Sequence, residues 1–224
     1  MAMESVVKVP PSLTLKGRRL VLSSPNPQDD EAMRVIFSDP SNVRHLPVFQ
    51  RSGQWTIQEI VARRESQIAD QQQNKSLVLY IHIQRPNGYG EHLSGSVDGM
   101  IVAGTTGFRT VDLKSCSAEL GVIVHHHFCG NGLATEAMHL CLSYGFEFLG
   151  LQRVDWFTDK DNQDMRGWLE GFLGLEPVGA LESCDKDMVG YSLSRSEWQE
   201  RVNPLLEWKI GVKETREAID HIIA

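Results

Sequence analysis

The chain has 224 residues, 41% of them hydrophobic and 23% charged, with a formal charge of −7 at pH 7. These are ordinary values for a soluble globular protein, and the length suits one domain that buries its core without covalent staples. The acidic balance speaks against bulk binding of nucleic acid, which needs basic patches, and no run of about eighteen apolar residues offers a membrane span. The N-terminus, MAMESVVKVPPSL, lacks the basic start and apolar run of a secretory signal. Cys116, Cys129, Cys141 and Cys184 form no CxxC pair and match no zinc framework. Reduced thiols are the simplest expectation, which places the protein in the cytoplasm, with the nucleus also open to it.

In chain order, LTLKGRRLVLS (13–23) alternates around a basic turn and predicts a strand or hairpin. PNPQDDEAMRVIFSD has proline and aspartates ahead of an amphipathic run, which marks a helix start. TIQEIVARRESQIADQQQ predicts a second helix, with Thr56 as N-cap and Glu59 completing a capping box. LVLYIHIQ (77–84) is β-branched and aromatic and runs into the turn RPNGYG. MIVAGTTGFRTV and AELGVIV predict two more strands. A helix is expected from near Gly132 to SYGFEFLG, with Leu133, Ala137, Cys141, Tyr144 and Phe148 at helical spacing. RVDWFTD predicts a strand, DNQDMRGWLEGFL a helix stopping at Gly174, and DMVGYSLS a last strand. In SEWQERVNPLLEWK, Pro204 should kink or break the helix. This order predicts α+β or α/β class, with a mostly antiparallel front half. Trp55, Trp156 and Trp168 are expected as core or cleft walls.

The stretch HHHFCGNGLATEA (125–137) carries two competing chemistries. Adjacent histidines on a strand point to alternate faces, so His125 and His127 should share a side and His126 should not. Zinc needs three or four convergent ligands, and beyond these histidines and Cys129 no second ligand pair stands nearby. The expectation is therefore no metal and a polar strand exit. The histidines could also shuttle protons, but the sequence shows no charge partner for them. The second chemistry is phosphate binding. Gly130 and Gly132 lie between a strand and an amphipathic helix, where unpaired N–H groups and the positive end of the helix dipole favour an anion. A Walker loop would need GKS or GKT, and a dinucleotide fingerprint would need a third glycine where Thr135 stands. Of three nucleotide families that use such a site, coenzyme A is the third possibility.

AELGVIVHHHFCGNGLATEA resembles the central motif of the GCN5-related N-acetyltransferases (GNAT), most of all the RimJ/RimL-like branch of ribosomal-protein N-terminal acetyltransferases. Cys129, Gly130, Asn131, Gly132, Leu133 and Ala134 align with that family's Gln/Arg-x-x-Gly-x-Gly/Ala cradle. The likeness extends through LTLKGRRLVLSSPNPQDDEAM, YGFEFLGLQRV, DNQDMRGWLEGFLGLEPVG and DMVGYSLSRSEW. It implies a three-layer GNAT fold, its mixed central sheet splayed around acyl-CoA between AELGVIV and RVDWFTD and flanked by helices. The domain would span 12–200, between an N-terminal extension (1–11) and a helical tail (201–224). It implies acetyl-CoA as co-substrate, with Val122, Ile123 and Val124 pairing with the pantetheine as an added strand would. An N–H near Val124 would polarise the thioester. Cys129 and the backbone of Gly130, Asn131, Gly132, Leu133, Ala134 and Thr135 would hold the pyrophosphate, and Asn162 would meet the pantetheine arm. Glu119 would be the catalytic base, as against a solvated strand carboxylate. The acceptor would be a small-molecule amine or a protein N-terminus, bound mainly by residues 25–75, to a monomer or homodimer, with no nucleic acid or membrane partner.

The sequence departs from the family at identifiable places. Cys129 replaces the usual arginine or glutamine, Met165 a frequent serine, and Leu175 a phenylalanine. One extra residue lies between Glu170 and Gly174, and Leu169 stands where some members have a tyrosine acid. These departures motivate a second hypothesis, an acyl-CoA-binding protein without turnover. A third is a metal-binding structural protein built on the histidines and Cys129. A nucleophilic Cys129, activated by the helix N-terminus, is not required by direct transfer.

Overall fold

The computed structural model describes residues 8–86, 89–178 and 187–211. Residues 1–7 of the expected extension, Asn87 and Gly88 of the expected turn, Cys184 and residues 212–224 of the expected tail lie outside the described residues.

Seven strands form one sheet in sequence order: β1 (Thr14–Lys16), β2 (Leu20–Ser23), β3 (Leu77–Gln84), β4 (Met100–Asp112), β5 (Ser117–Val124), β6 (Arg153–Asp159) and β7 (Met188–Ser194). The basic stretch around Arg18 is the tip of the β1–β2 hairpin, closed by the Gly17 N–H donating to Leu20 O at 2.8 Å. All neighbours are antiparallel except β5 and β6, whose connection is long enough to hold a crossover helix.

The helices are α1 (Asp30–Ser38), α2 (Pro40–Val43), α3 (Ile57–Gln72), α4 (Leu133–Glu147), α5 (Gln163–Arg166), α6 (Arg195–Glu197) and α7 (Asn203–Ile210). A 3₁₀ turn at Pro27–Asp29, capped by the Asn26 side chain, precedes α1. Thr56 and Glu59 form the expected capping box at α3. From Ala137 to Phe146 every residue of α4 is buried, so its expected stripe is part of a helix enclosed nearly all round.

Side-chain alternation sorts β3 and β4 between two helical layers. Tyr80 faces α3, its hydroxyl donating to Gln67 at 3.3 Å. Thr106 meets Cys141 of α4, and Phe108 packs under Gly145. The seven-stranded mixed sheet therefore lies between α1 and α3 on one side and α4 on the other.

Two expected helices are more irregular than their spacing predicts. After α5 the chain widens into π turns from Gly167 to Phe172, then stops at Gly174, whose φ is +63°. Pro204 does not break its segment. A π-helical stretch, Trp198–Val202, separates α6 from α7, and Pro204 falls in the first turn of α7, where a missing N–H is tolerated. Val202, Leu206 and Ile210 are buried, so this helical run packs into the core beyond residue 200. Among the described residues no helix is long and apolar enough to cross a membrane.

Candidate functional site

The parallel register of β5 and β6 covers only three pairs: Ser117 with Arg153, Ala118 with Val154, and Glu119 with Asp155. Beyond them β6 stays paired with β7 and β5 stays paired with β4, so the sheet opens between β5 and β6. The His125 N–H donates to Ala103 O at 2.8 Å, which fixes the alternation of the β4–β5 ladder. By that alternation the backbone groups of Ile123 turn to β4, and those of Val122 and Val124 turn to the open side.

The loop between β5 and α4 sits at the end of this opening. Gly130 and Gly132 have φ of +76° and +75°, in the left-handed region that glycine enters freely. Gly132 caps α4 without a side-chain hydrogen bond, so the loop's own backbone forms the helix entrance. Arg19, from the β1–β2 hairpin, supports the loop from behind. Its Nε and Nη1 donate to Glu136 Oε2 at 2.8 Å and to Asn131 O at 2.7 Å. Its backbone N–H donates to Glu136 Oε1 at 2.8 Å. Glu136 is buried in the first turn of α4, where a carboxylate also suits the helix dipole. Thr135 accepts from the indole of Trp168 at 3.1 Å, which makes Trp168 a wall of this end of the site.

Cys129, in the place where the family motif has arginine or glutamine, is exposed. Its sulfur approaches the carbonyls of Val124 and His125 at 3.6 and 3.8 Å, and desolvation pushes its pKa above the usual thiol value. That disfavours the thiolate a nucleophile needs.

The histidines depart from the expected alternation. β5 ends at Val124, and His126–Phe128 form a 3₁₀ turn whose N-cap is His125. All three rings therefore gather on one side, with centroids 4.1 to 5.3 Å apart. Their ligand-capable atoms lie within 4.8 Å of one another. His125 is stacked nearly parallel to both others, at 20° and 16°, so its in-plane lone pair does not converge with theirs. A charge partner, invisible in the sequence, is also present: His126 Nδ1 lies 3.0 Å from Asp39 Oδ2. The Asn42 side chain holds the His126 N–H at 2.7 Å, and the Tyr89 hydroxyl bonds His127 Nδ1.

His125 is 3% exposed, and burial, reinforced by the neighbouring imidazoles, pushes its pKa from 6.5 down to about 4. The folded chain keeps this ring neutral where the unfolded chain takes up a proton. The associated stability is present above about pH 6.5 and is lost as pH falls toward 4, approaching ~3 kcal/mol. Melting temperature should drop across that window, and His125→Gln should flatten the drop. A drop of equal slope in the variant would trace it to other groups.

Glu119 lies on the face of β5 turned toward α3, and Arg109 Nη1 reaches its Oε1 at 3.0 Å. Asn162 is the N-cap of α5: its Oδ1 accepts from the Met165 N–H at 3.2 Å and its Nδ2 donates to Thr158 Oγ1 at 2.9 Å. One amide hydrogen is left over. Leu169 is fully buried, and Met165 packs against the core, so neither position offers a proton donor. Trp156 is fully buried, while Trp55 is half-buried beside Phe37 and Phe49.

A family model described as an acetyltransferase (GNAT) domain matches residues 19–176. The chain belongs to the GNAT acetyltransferase family. The uncharacterized N-acetyltransferase p20 of Bacillus licheniformis is 23% identical over 192 residues, covering 83% of this chain and 98% of its own. The uncharacterized N-acetyltransferase YoaA of Bacillus subtilis (strain 168) is 26% identical over 149 residues, covering 66% of this chain and 75% of its own. The solved structure of RimL, a ribosomal L7/L12 α-N-protein acetyltransferase in complex with coenzyme A, aligns with a TM-score of 0.67. It is 12% identical, with 81% of this chain and 98% of that one covered, a likeness of fold. In this GNAT chain the predicted residues Val122 to Thr135 run along the β5 opening and its end, and Glu119 lies at the last β5–β6 pair. Sequence reasoning missed Arg19, Asp39 and Tyr89, which reach the loop from distant segments. Only the double arginine at 18–19 and the glutamate of GLATEA hinted at the first of these.

Proposed function

We propose that this acetyltransferase moves an acetyl group from acetyl-CoA to a primary amine, on a small molecule or a protein N-terminus, by direct attack on the thioester. The observation that carries this reading is the termination of β5–β6 pairing at Glu119, before Val122 and Val124 turn backbone groups that β6 does not pair into the opening. Residues 12–200 would make up the catalytic domain, working as a monomer or homodimer. The co-substrate supplies an acetyl group already activated as a thioester. Residues Val122 to Val124 offer an extended edge that suits the amides of a pantetheine arm, and the remaining Asn162 amide hydrogen is a further donor. An N–H near Val124 would draw electron density from the thioester oxygen. Gly130 to Thr135 present backbone N–H groups to a pyrophosphate, with Cys129 as a small neighbour in place of an arginine.

The amine nitrogen forms the new C–N bond as the C–S bond breaks, and the thiolate leaves and is protonated. The proton lost by the amine passes to Glu119 or to a water it holds. No histidine or metal is needed for this balance. Thiol release from acetyl-CoA with a panel of primary amines tests the reading. The expected result is amine-dependent thiol release with an N-acetylated product in the mass spectrum. Binding of acetyl-CoA without thiol release on any amine would instead identify a non-catalytic acyl-CoA binder, which the absence of a proton donor at Met165 and Leu169 favours.

A further inference from the structure

We propose that the acceptor is an amine that also carries a carboxylate, and that Arg63 binds that carboxylate. This rests on the acetyl-transfer reading above and names the substrate class of the same site.

Adjacent residues of α3 give the contrast that motivates it. Arg64 is buried and paired through Nε with both oxygens of Asp30, at 2.9 and 3.1 Å. Arg63 has no such partner among the described residues. Its guanidinium lies 4.6 Å from the ring centre of Phe49 and 5.3 Å from that of Phe37, and its Nε is buried without a hydrogen bond. Trp55, in ring contact with both phenylalanines, likewise has a buried indole N–H without an acceptor. The aromatic faces stabilise a cation, but they accept no in-plane hydrogen bond from it. Arg63 is half-buried, and a guanidinium whose Nε is buried without a partner and which has no carboxylate lacks an anion. Burial and the positive charge of Arg109 both push the Arg63 pKa downward, in keeping with an uncompensated cation.

Arg63 also lies on the acceptor side of the sheet. The register between β4 and β5 shifts at Phe108–Thr110, a bulge that re-aims Arg109. The Arg109 side chain crosses over Gly121, where an added Cβ would lie 3.3 Å from its Cδ, and reaches Glu119 at 3.0 Å. Arg63, Arg109 and Glu119 therefore share one face, between α3 and β5. An amine deprotonated at Glu119 has the Arg109 guanidinium beside it and Arg63 on the same face, on a chain whose net charge is −7. Arg109 is already paired, and Arg63 is left for the substrate. Polyamines meet repulsion on this face, whereas an amino acid presents opposite charges at its two ends.

The test compares matched acceptors by thiol release from acetyl-CoA: γ-aminobutyrate against butylamine, glutamate against its α,γ-diamide, and spermidine. A peptide beginning with glutamate distinguishes a free amino acid from an acidic N-terminus. The carboxylate-bearing member of each pair is expected to have a kcat/KM at least about tenfold higher, the scale of one charge-assisted hydrogen bond. Arg63→Gln should erase that ratio, mainly through KM, and Arg63→Lys should restore part of it. Should Arg63→Gln fail to fold, the matched pairs on the parent protein decide alone. Equal or better use of butylamine or spermidine, or an undiminished ratio in a folded Arg63→Gln protein, overturns the inference and leaves acetyl transfer standing. No thiol release with any amine removes both.

Discussion

Gly132→Asp is expected to weaken acetyl-CoA binding by about thirtyfold, roughly 2 kcal/mol, in a protein that still folds. Three effects act together. The φ of +75° at Gly132 is a conformation in which a side chain costs roughly 1–2 kcal/mol. An added Cβ would stand 3.3 Å from Arg19 Nη2, so the aspartate would draw Arg19 away from Asn131 and Glu136. Its negative charge would also oppose the phosphates. Gly132→Ala shares the backbone strain without the charge, and should fall between parent and aspartate. His126→Ala should do much less, because its ring bonds to Asp39 and Asn42 and supplies no part of a backbone-made cradle. Calorimetric titration with acetyl-CoA gives the affinities, and thermal melting shows which variants are folded. Normal affinity in folded Gly132→Asp, together with loss in His126→Ala, would move the phosphate site to the histidines.

Glu119→Gln should lower kcat by about a hundredfold or more with little change in acetyl-CoA affinity. Glutamine keeps an oxygen that can accept from Arg109 but cannot take the amine's proton. The substitution thus separates the base from the partner of Arg109. Turnover equal to the parent's from about pH 6 to about pH 9 would leave Glu119 as a structural carboxylate.

The residues that declared themselves in the sequence are those whose role is local. LVLYIHIQ is a strand by composition, and Thr56 with Glu59 announces a helix start within four residues. The GNG loop was legible because a strand and a helix flank it within a short span. The histidines were misread because their geometry depends on where β5 stops: a 3₁₀ turn replaces alternation as soon as the ladder ends. Pro204 does not break the run because it falls in the first turn of α7, a placement set by the π turns before it. Arg19, Asp39 and Arg63 could not be placed, since their partners come from elements that only the folded sheet brings together.

The bonds from Arg19 to Glu136 and Asn131 also bear on how the site comes into being. They close the chain across 117 and 112 residues, with β3, β4 and β5 completed in between. Loop closure of that span is entropically expensive and slow compared with forming a local hairpin. A growing chain can build the α4 entrance as soon as residues near 130 are made, but the loop gains its rear support only when the first hairpin has docked on the finished sheet. The loop's final shape therefore depends on long-range contacts with the first hairpin and not on the glycines alone.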